Sequence, residues 1–225
     1  MTEPDAGAES GVKGIVADIL DEVLLRRLGI AWKGQFLPWA RAQLQVKNGQ
    51  ADMLITIPTD ERREYSLASD QPVLLQYLHV YTYRGHPRIE AIRAISSIAD
   101  IKQQGLLPLS NAGNGWFKQH IDTAGIAAYY APADQNIAEM LAARRGDLMI
   151  DLPLSMNPTI KALGIGEQLE MTDARFGPIG FHLLISQKSP LVARIAEINR
   201  VIEAFIADGS REVLLENYLK DRLSF

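Results

Sequence analysis

Pro38-Trp39-Ala40-Arg41-Ala42-Gln43-Leu44-Gln45-Val46-Lys47-Asn48-Gly49-Gln50-Ala51-Asp52-Met53-Leu54-Ile55-Thr56 is the stretch whose reading decides the fold. It continues through Thr59-Asp60-Glu61-Arg62 to Ser69-Asp70-Gln71-Pro72. Pro38 stands where a helix tolerates proline best, at its first turn. Gly49 stops that helix, and residues 51–57 form a compact apolar run suited to a buried parallel strand. A loop with a threonine and an arginine follows. A helix–strand unit of this kind leaves polar groups at the carboxyl end of a parallel strand, where open α/β sheets bind ligands.

Upstream, Ile15, Ile19 and Val23 recur every four residues beside Val16, Leu20 and Leu24, predicting an amphipathic helix that ends at Gly29. Residues 30–36 read as a short strand. Downstream, residues 74–83 are rich in aromatic and β-branched side chains and predict a longer strand. The pattern then restarts. Ser97-Ile98-Ala99-Asp100 opens a capped helix, residues 106–109 read as a short strand, and the turn Ser110-Asn111-Ala112-Gly113-Asn114-Gly115 leads into a helix over 116–123. Strands are expected at 129–131, 147–152 and 181–186. A helix carrying Ile137, Met140 and Leu141 ends near Arg145-Gly146. Two last helices carry Leu191, Ile195, Ile198, Ile202 and Phe205, then Val213, Leu214 and Tyr218.

Strands alternating with helices predict an α/β protein with parallel sheets. Two such series predict two lobes: a discontinuous first lobe over residues 1–82 and 182–225, and a second over 83–181. Two adjacent extended segments, near residues 80–84 and 178–183, would join them, and residues 84–88 are the best linker candidate.

At 225 residues, with 47% hydrophobic and 22% charged residues, the composition is that of an ordinary globular protein. A net charge of -4 argues against a nucleic-acid partner. The absence of cysteine excludes disulfides, thiolate metal sites and cysteine nucleophiles. No apolar run approaches the roughly 18 residues of a membrane span. Met1-Thr2-Glu3-Pro4-Asp5 is too acidic for an export signal, so the chain is read as cytosolic or as an exported protein whose signal is not in this sequence. His79, His86, His120 and His182 are scattered and form no metal motif. No G-x-S-x-G elbow is present. Gly113-Asn114-Gly115 lacks the remaining residues of a dinucleotide or P-loop motif.

The order of motifs resembles the bacterial extracellular solute-binding proteins of family 3, the amino-acid-binding group of periplasmic binding proteins. Thr59-Asp60-Glu61-Arg62 is similar to a T-x-E-R signature, and Ser69-Asp70-Gln71-Pro72 to the S-D-P segment after it. Leu141 through Gly146 and Asp147 to Asp151 is similar to an L-x-x-G-x-D-x-x-x-D stretch. Ser97-Ile98-Ala99-Asp100-Ile101-Lys102 is similar to an S-L-x-D-L-K helix start, and Asp208-Gly209 with Tyr218 to the family's ending. The likeness runs from Gly14 onward. In this chain Ala68 replaces the usual phenylalanine, Gln71 is an insertion, and nothing before Gly14 resembles the family's first strand. The first sheet is therefore expected to lack an interior strand, unless the gene product begins upstream or another segment or chain fills the gap.

The resemblance implies a two-lobed, type II periplasmic-binding-protein fold with a hinge of two crossing segments. It implies a periplasmic protein, not an enzyme and without cofactor or metal, which captures an amino acid or related carboxylate and delivers it to the permease of an ABC-type importer. A dehydratase or lyase on the same scaffold, with Glu61 or Glu64 as base, is the alternative from another class. The ligand-sensing domain of a signalling protein is a third.

By the same resemblance Arg62 grips the ligand carboxylate in a planar fork, helped by the Thr59 hydroxyl and Thr56, and Trp39 forms an apolar wall. Asp151 faces the ligand ammonium, and backbone N–H groups at Asn114 and Gly115 offer an anion site. The residues alone also allow plainer roles. Thr59 could cap a short helix with Arg62 paired on the surface, Asp151 could cap the loop that follows it, Trp39 could pack in the core, and Gly113-Asn114-Gly115 could be an ordinary turn.

Overall fold

The computed structural model describes residues 2–219. Among them nine strands follow in chain order: β1 (Glu3–Pro4), β2 (Val12–Lys13), β3 (Met53–Thr56), β4 (Ser66–Ala68), β5 (Leu74–Tyr83), β6 (Pro108–Asn111), β7 (Tyr129–Ala131), β8 (Leu148–Asp151) and β9 (Leu169–Ser186). The chain divides into two compact units. One holds the chain through Leu75 and resumes at Gly180; the other runs from Gln76 to Ile179. Both β5 and β9 therefore have residues in each unit, and residues 84–88, read as a linker from the sequence, lie inside the second.

In the first unit, periodicity becomes structure at the helix Ile15–Leu20, which continues as a π-helical segment, Asp21–Arg26. Ile15, Ile19, Val23 and Leu24 are buried on one face. The π-helical segment packs on the helix Ile195–Ala207, which buries Ile198, Ile202 and Phe205. The helix Trp39–Asn48 begins after Pro38 and ends at Gly49 in the left-handed region, as expected. The apolar run after it forms β3, but the pairing differs from expectation. β3 is antiparallel to β9, in the register Met53↔Ile185 to Thr56↔His182, and β9 is its one strand neighbour among the described residues. β4 also lies antiparallel to β9. Ser69 of the S-D-P-like segment holds its loop to β9: its hydroxyl accepts from the Leu183 N–H and its carbonyl meets His182 Nδ1 at 2.7 Å.

The strand expected over residues 30–36 does not form. Its polar groups are spent elsewhere: Trp32 Nε1 donates to Asp21 Oδ1 at 3.0 Å, and the Gly34 N–H donates to the Ser10 carbonyl. Gly34 sits so close to Val12 that a Cβ there would lie 2.3 Å from a Val12 methyl. The alternation of apolar residues that suggests a strand is left without a sheet to bury it, and Phe36 stays 59% exposed.

The second unit carries the parallel sheet. β8 pairs antiparallel with β5 and parallel with β6, and β6 pairs parallel with β7. Asn111, Ala131 and Asp151 therefore end three parallel strands at one edge. Leu109, Ile137, Leu141, Met149, Met156 and Ile160 form the core beneath. Buried Tyr81 donates its hydroxyl to Asn157 Oδ1 at 2.7 Å, and burial pushes its pKa up. Asp147 has the structural role its position suggests, accepting from the Leu107 N–H and from buried His86 and pairing with Arg88. The helix at 98–103 carries a Ser97/Asp100 capping box, as its sequence predicts.

Two elements here go beyond the sequence reading. The residues after Asp151, read as a loop, begin the helix Pro153–Leu163, with Pro153 in its first turn and Pro158 inside it. β9 starts twelve residues before the expected strand at 181, at Leu169. Thr172 secures this early part, its hydroxyl donating to the Val80 carbonyl.

Gly146 shows how closely this unit is packed. A Cβ at this buried position would lie 2.6 Å from Leu109 side-chain atoms. Gly146→Ala is expected to destabilise the protein by about 1–3 kcal/mol through overpacking, measured as a lower urea midpoint with unchanged slope. An unchanged midpoint would show that Leu109 can move aside freely.

Candidate functional site

The first unit supplies Trp39, Thr56, Thr59 and Arg62. Thr56 ends β3 and is buried; Thr59 is also buried, and stands just before the short helix Asp60–Arg63 without a side-chain capping bond. Arg62 is 3% exposed. Its Nε donates to Gln43 Oε1 at 2.9 Å, its Nη1 to the Ile57 carbonyl at 2.8 Å, and its guanidinium lies 5.3 Å from the Trp39 ring centre. The Tyr65 side chain also hydrogen-bonds to it. Burial pulls the guanidinium below its ordinary pKa, opposed by Tyr65 and Glu61. Arg62 and Trp39 are thus brought together, and Arg62 is held by its own unit on several sides. Gln43 and Tyr65 were not singled out from the sequence, although Gln43 sits one helical turn after Trp39 and so shares its face.

The second unit supplies Asn114, Gly115 and Asp151. Asn114 caps its own helix, accepting from the Phe117 N–H at 3.0 Å while its amide donates to Ser110. The Asn114 N–H, one of the two backbone donors expected to face an anion, itself donates to the Asn111 carbonyl at 3.3 Å. Asp151 closes β8 at the carboxyl edge of the sheet. Its Oδ1 accepts from the Leu152 N–H at 2.7 Å and from the Ser155 hydroxyl at 3.4 Å, so it does serve the start of the following helix. Burial, and next the neighbouring Asp134 carboxylate, push the Asp151 carboxyl up to about 8, against the pull of these two donors. Asp134, in the first turn of the helix Asp134–Ala142, accepts from Asn111 Nδ2 at 2.5 Å. The sequence reading missed Asp134; its signal was an acidic residue just after a short strand parallel to the one ending at Asn111. No group of three or more metal-ligating side chains occurs among the described residues, and none of their helices is long and apolar enough to cross a membrane.

No family model and no curated protein matches the sequence. Solved structures do match, over nearly the whole chain. An arginine 3rd transport system periplasmic binding protein from Legionella pneumophila is 18% identical, with a TM-score of 0.71 over 95% of this chain and 92% of that one. A histidine kinase sensor domain with similarity to periplasmic binding proteins gives 0.76 at 15% identity, over 95% and 89%. An ancestral amino acid-binding protein, a precursor of cyclohexadienyl dehydratase, gives 0.70 at 15% identity, over 97% and 90%. The chain has the mixed α/β fold of the two-lobed periplasmic binding proteins. That fold carries transport, sensing and a route to catalysis, so the choice among them rests on the site.

Proposed function

We propose that this chain is a solute-binding protein that captures an amino acid or a related small nitrogen-bearing molecule in the periplasm and presents it to the permease of an ABC-type importer. The observation that carries this reading is Asp151: an acid at the carboxyl end of a parallel strand, with no ion-pair partner among the described residues, on a fold whose solved relatives include amino-acid-binding proteins. In this reading Asp151 meets the ligand ammonium, with Asn114 and Gly115 beside the same sheet edge. Arg62 and Thr59 meet a ligand carboxylate, with Thr56 and Trp39 lining their side. A carboxylate reaches Arg62 Nε by displacing the Gln43 amide oxygen that now occupies it.

The dehydratase alternative would draw on the same acid: burial and Asp134 push the Asp151 carboxyl up to about 8, toward the range of a group that donates a proton to a leaving hydroxyl. Binding without turnover is the reading we adopt, and the lobes are taken as residues 1–82 with 182–225, and 83–181.

A thermal-shift screen of the common amino acids and simple amines, followed by calorimetry and a product assay on every hit, tests it. A cognate ligand at about 100 times its Kd is expected to stabilise the chain by about 2.7 kcal/mol, several degrees in Tm, and to be recovered unchanged. Conversion of the ligand would favour the enzyme instead. A screen in which no amino acid or amine shifts the melt would overturn the solute-binding reading.

A further inference from the structure

Arg62 is 3% exposed, so any of its N–H donors left unpaired inside the protein costs stability. Its Nη1 is given to the Ile57 carbonyl and its Nε to Gln43 Oε1, while the guanidinium lies over the Trp39 ring. The two acceptors differ in how they can move. The Ile57 carbonyl is main chain, set between β3 and the helix Asp60–Arg63, and shifts only with that backbone. Gln43 is a half-buried side chain on the helix Trp39–Asn48, and it withdraws by rotating about its own side-chain bonds. Nε is one half of an edge that arginine offers to the two oxygens of a carboxylate. Gln43 therefore stands, with one uncharged oxygen, where a charged acceptor would make the stronger bond.

We infer that Gln43 is an exchangeable stand-in for the ligand carboxylate, a residue that sets both affinity and selectivity at Arg62. This rests on the solute-binding reading and adds a regulation of its site. A bond made only in the unliganded protein lowers the affinity of whatever replaces it by its own free energy. A carboxylate recovers that loss, because a charge-assisted hydrogen bond is about twice as strong as a neutral one. A neutral ligand oxygen exchanges like for like and gains nothing. Arg62 is thereby kept for acids, and uncharged solutes do not displace its own acceptor.

Calorimetry on the full chain, beside urea unfolding, tests this with the common amino acids and with the decarboxylated amine of each that binds (agmatine for arginine, for example). Gln43→Ala is expected to lower the urea midpoint of the unliganded protein, yet to tighten amino-acid binding by about threefold to tenfold. The amine, which never reaches Arg62 with a carboxylate, should change by less than about twofold. Gln43→Glu is expected to do the reverse. It raises the midpoint by pairing a charge with Arg62, and weakens amino-acid binding by about tenfold or more. A residue that only supports the fold would not move stability and affinity in opposite directions. The Glu variant keeps the test decisive if the Ala variant does not fold. Weaker or unchanged binding in Gln43→Ala would overturn the inference, as would unchanged affinity in Gln43→Glu. So would equal affinity of the parent for an amino acid and its amine, with the solute-binding reading left intact. If no amino acid binds the parent, the solute-binding reading itself falls, and the role of Gln43 with it.

Discussion

Arg62→Ala is expected to destabilise the protein by about 3 kcal/mol, because the guanidinium is a structural tie as well as a proposed ligand contact. Its removal strands the Gln43 amide oxygen and the Ile57 carbonyl, which now accept from Nε and Nη1. It also empties the space beside Trp39, whose ring the guanidinium covers, and takes a partner from Tyr65. Arg62→Lys is expected to recover little, since one ammonium cannot reach two acceptors set apart by a planar fork while stacking on an indole. Urea unfolding of the two variants, run beside binding titrations, separates the two roles. Loss of stability, with binding of a carboxylate-bearing ligand also weakened in the surviving folded fraction, is the expected result. Full stability with every ligand lost would instead make Arg62 a dedicated ligand anchor.

Much of the fold could be read from periodicity and turn chemistry, because those signals are local. The Ile198, Ile202 and Phe205 stripe became the buried face of a helix, and the Ser97/Asp100 box capped the helix it announced. The failures arise where local chemistry misleads. The residues after Asp151 read as a loop, yet Pro153 occupies a first turn, where the missing N–H costs nothing, and the helix runs on through Pro158. The first half of β9 carries Glu170, Asp173 and Arg175 where a buried strand would alternate, so it gave no strand signal before Phe181. Residues 30–36 did alternate, but their strand partner was supplied by nothing in the described sheet.

The site divides the same way. Trp39, Arg62 and Asp151 stood out through motifs, whereas the groups that set their chemistry arrive by tertiary contact. Gln43 reaches Arg62 from another element, and Asp134 reaches Asp151 only because β6 pairs with both β7 and β8.

Asp151→Asn is expected to make the unliganded protein more stable at pH 8 by about 2 kcal/mol, and to leave it unchanged near pH 4. In the unfolded chain Asp151 titrates near the ordinary carboxylate value, about 3.9, whereas in the native state it is pushed up to about 8. Between these values the native state binds the proton that the unfolded state has lost, so stability falls as pH rises through the window and levels off above pH 8. The expected magnitude is well below the full linkage value. The carboxylate is only half-buried, and the Leu152 N–H and Ser155 hydroxyl solvate its charged form. Asparagine keeps an acceptor for both donors and removes the repulsion with Asp134, so the variant's stability should show a shallower fall over the same range. The same change removes the acid proposed to meet the ligand ammonium, and an amino-bearing ligand should lose about a hundredfold in affinity. Urea midpoints at half-unit steps from pH 4 to 9, for parent and variant, give the difference curve. A flat difference would mean that Asp151 titrates as an ordinary surface acid. A protein that gains stability by losing this acid, and loses its ligand with it, would be keeping an unfavourable carboxylate for the cation that it binds.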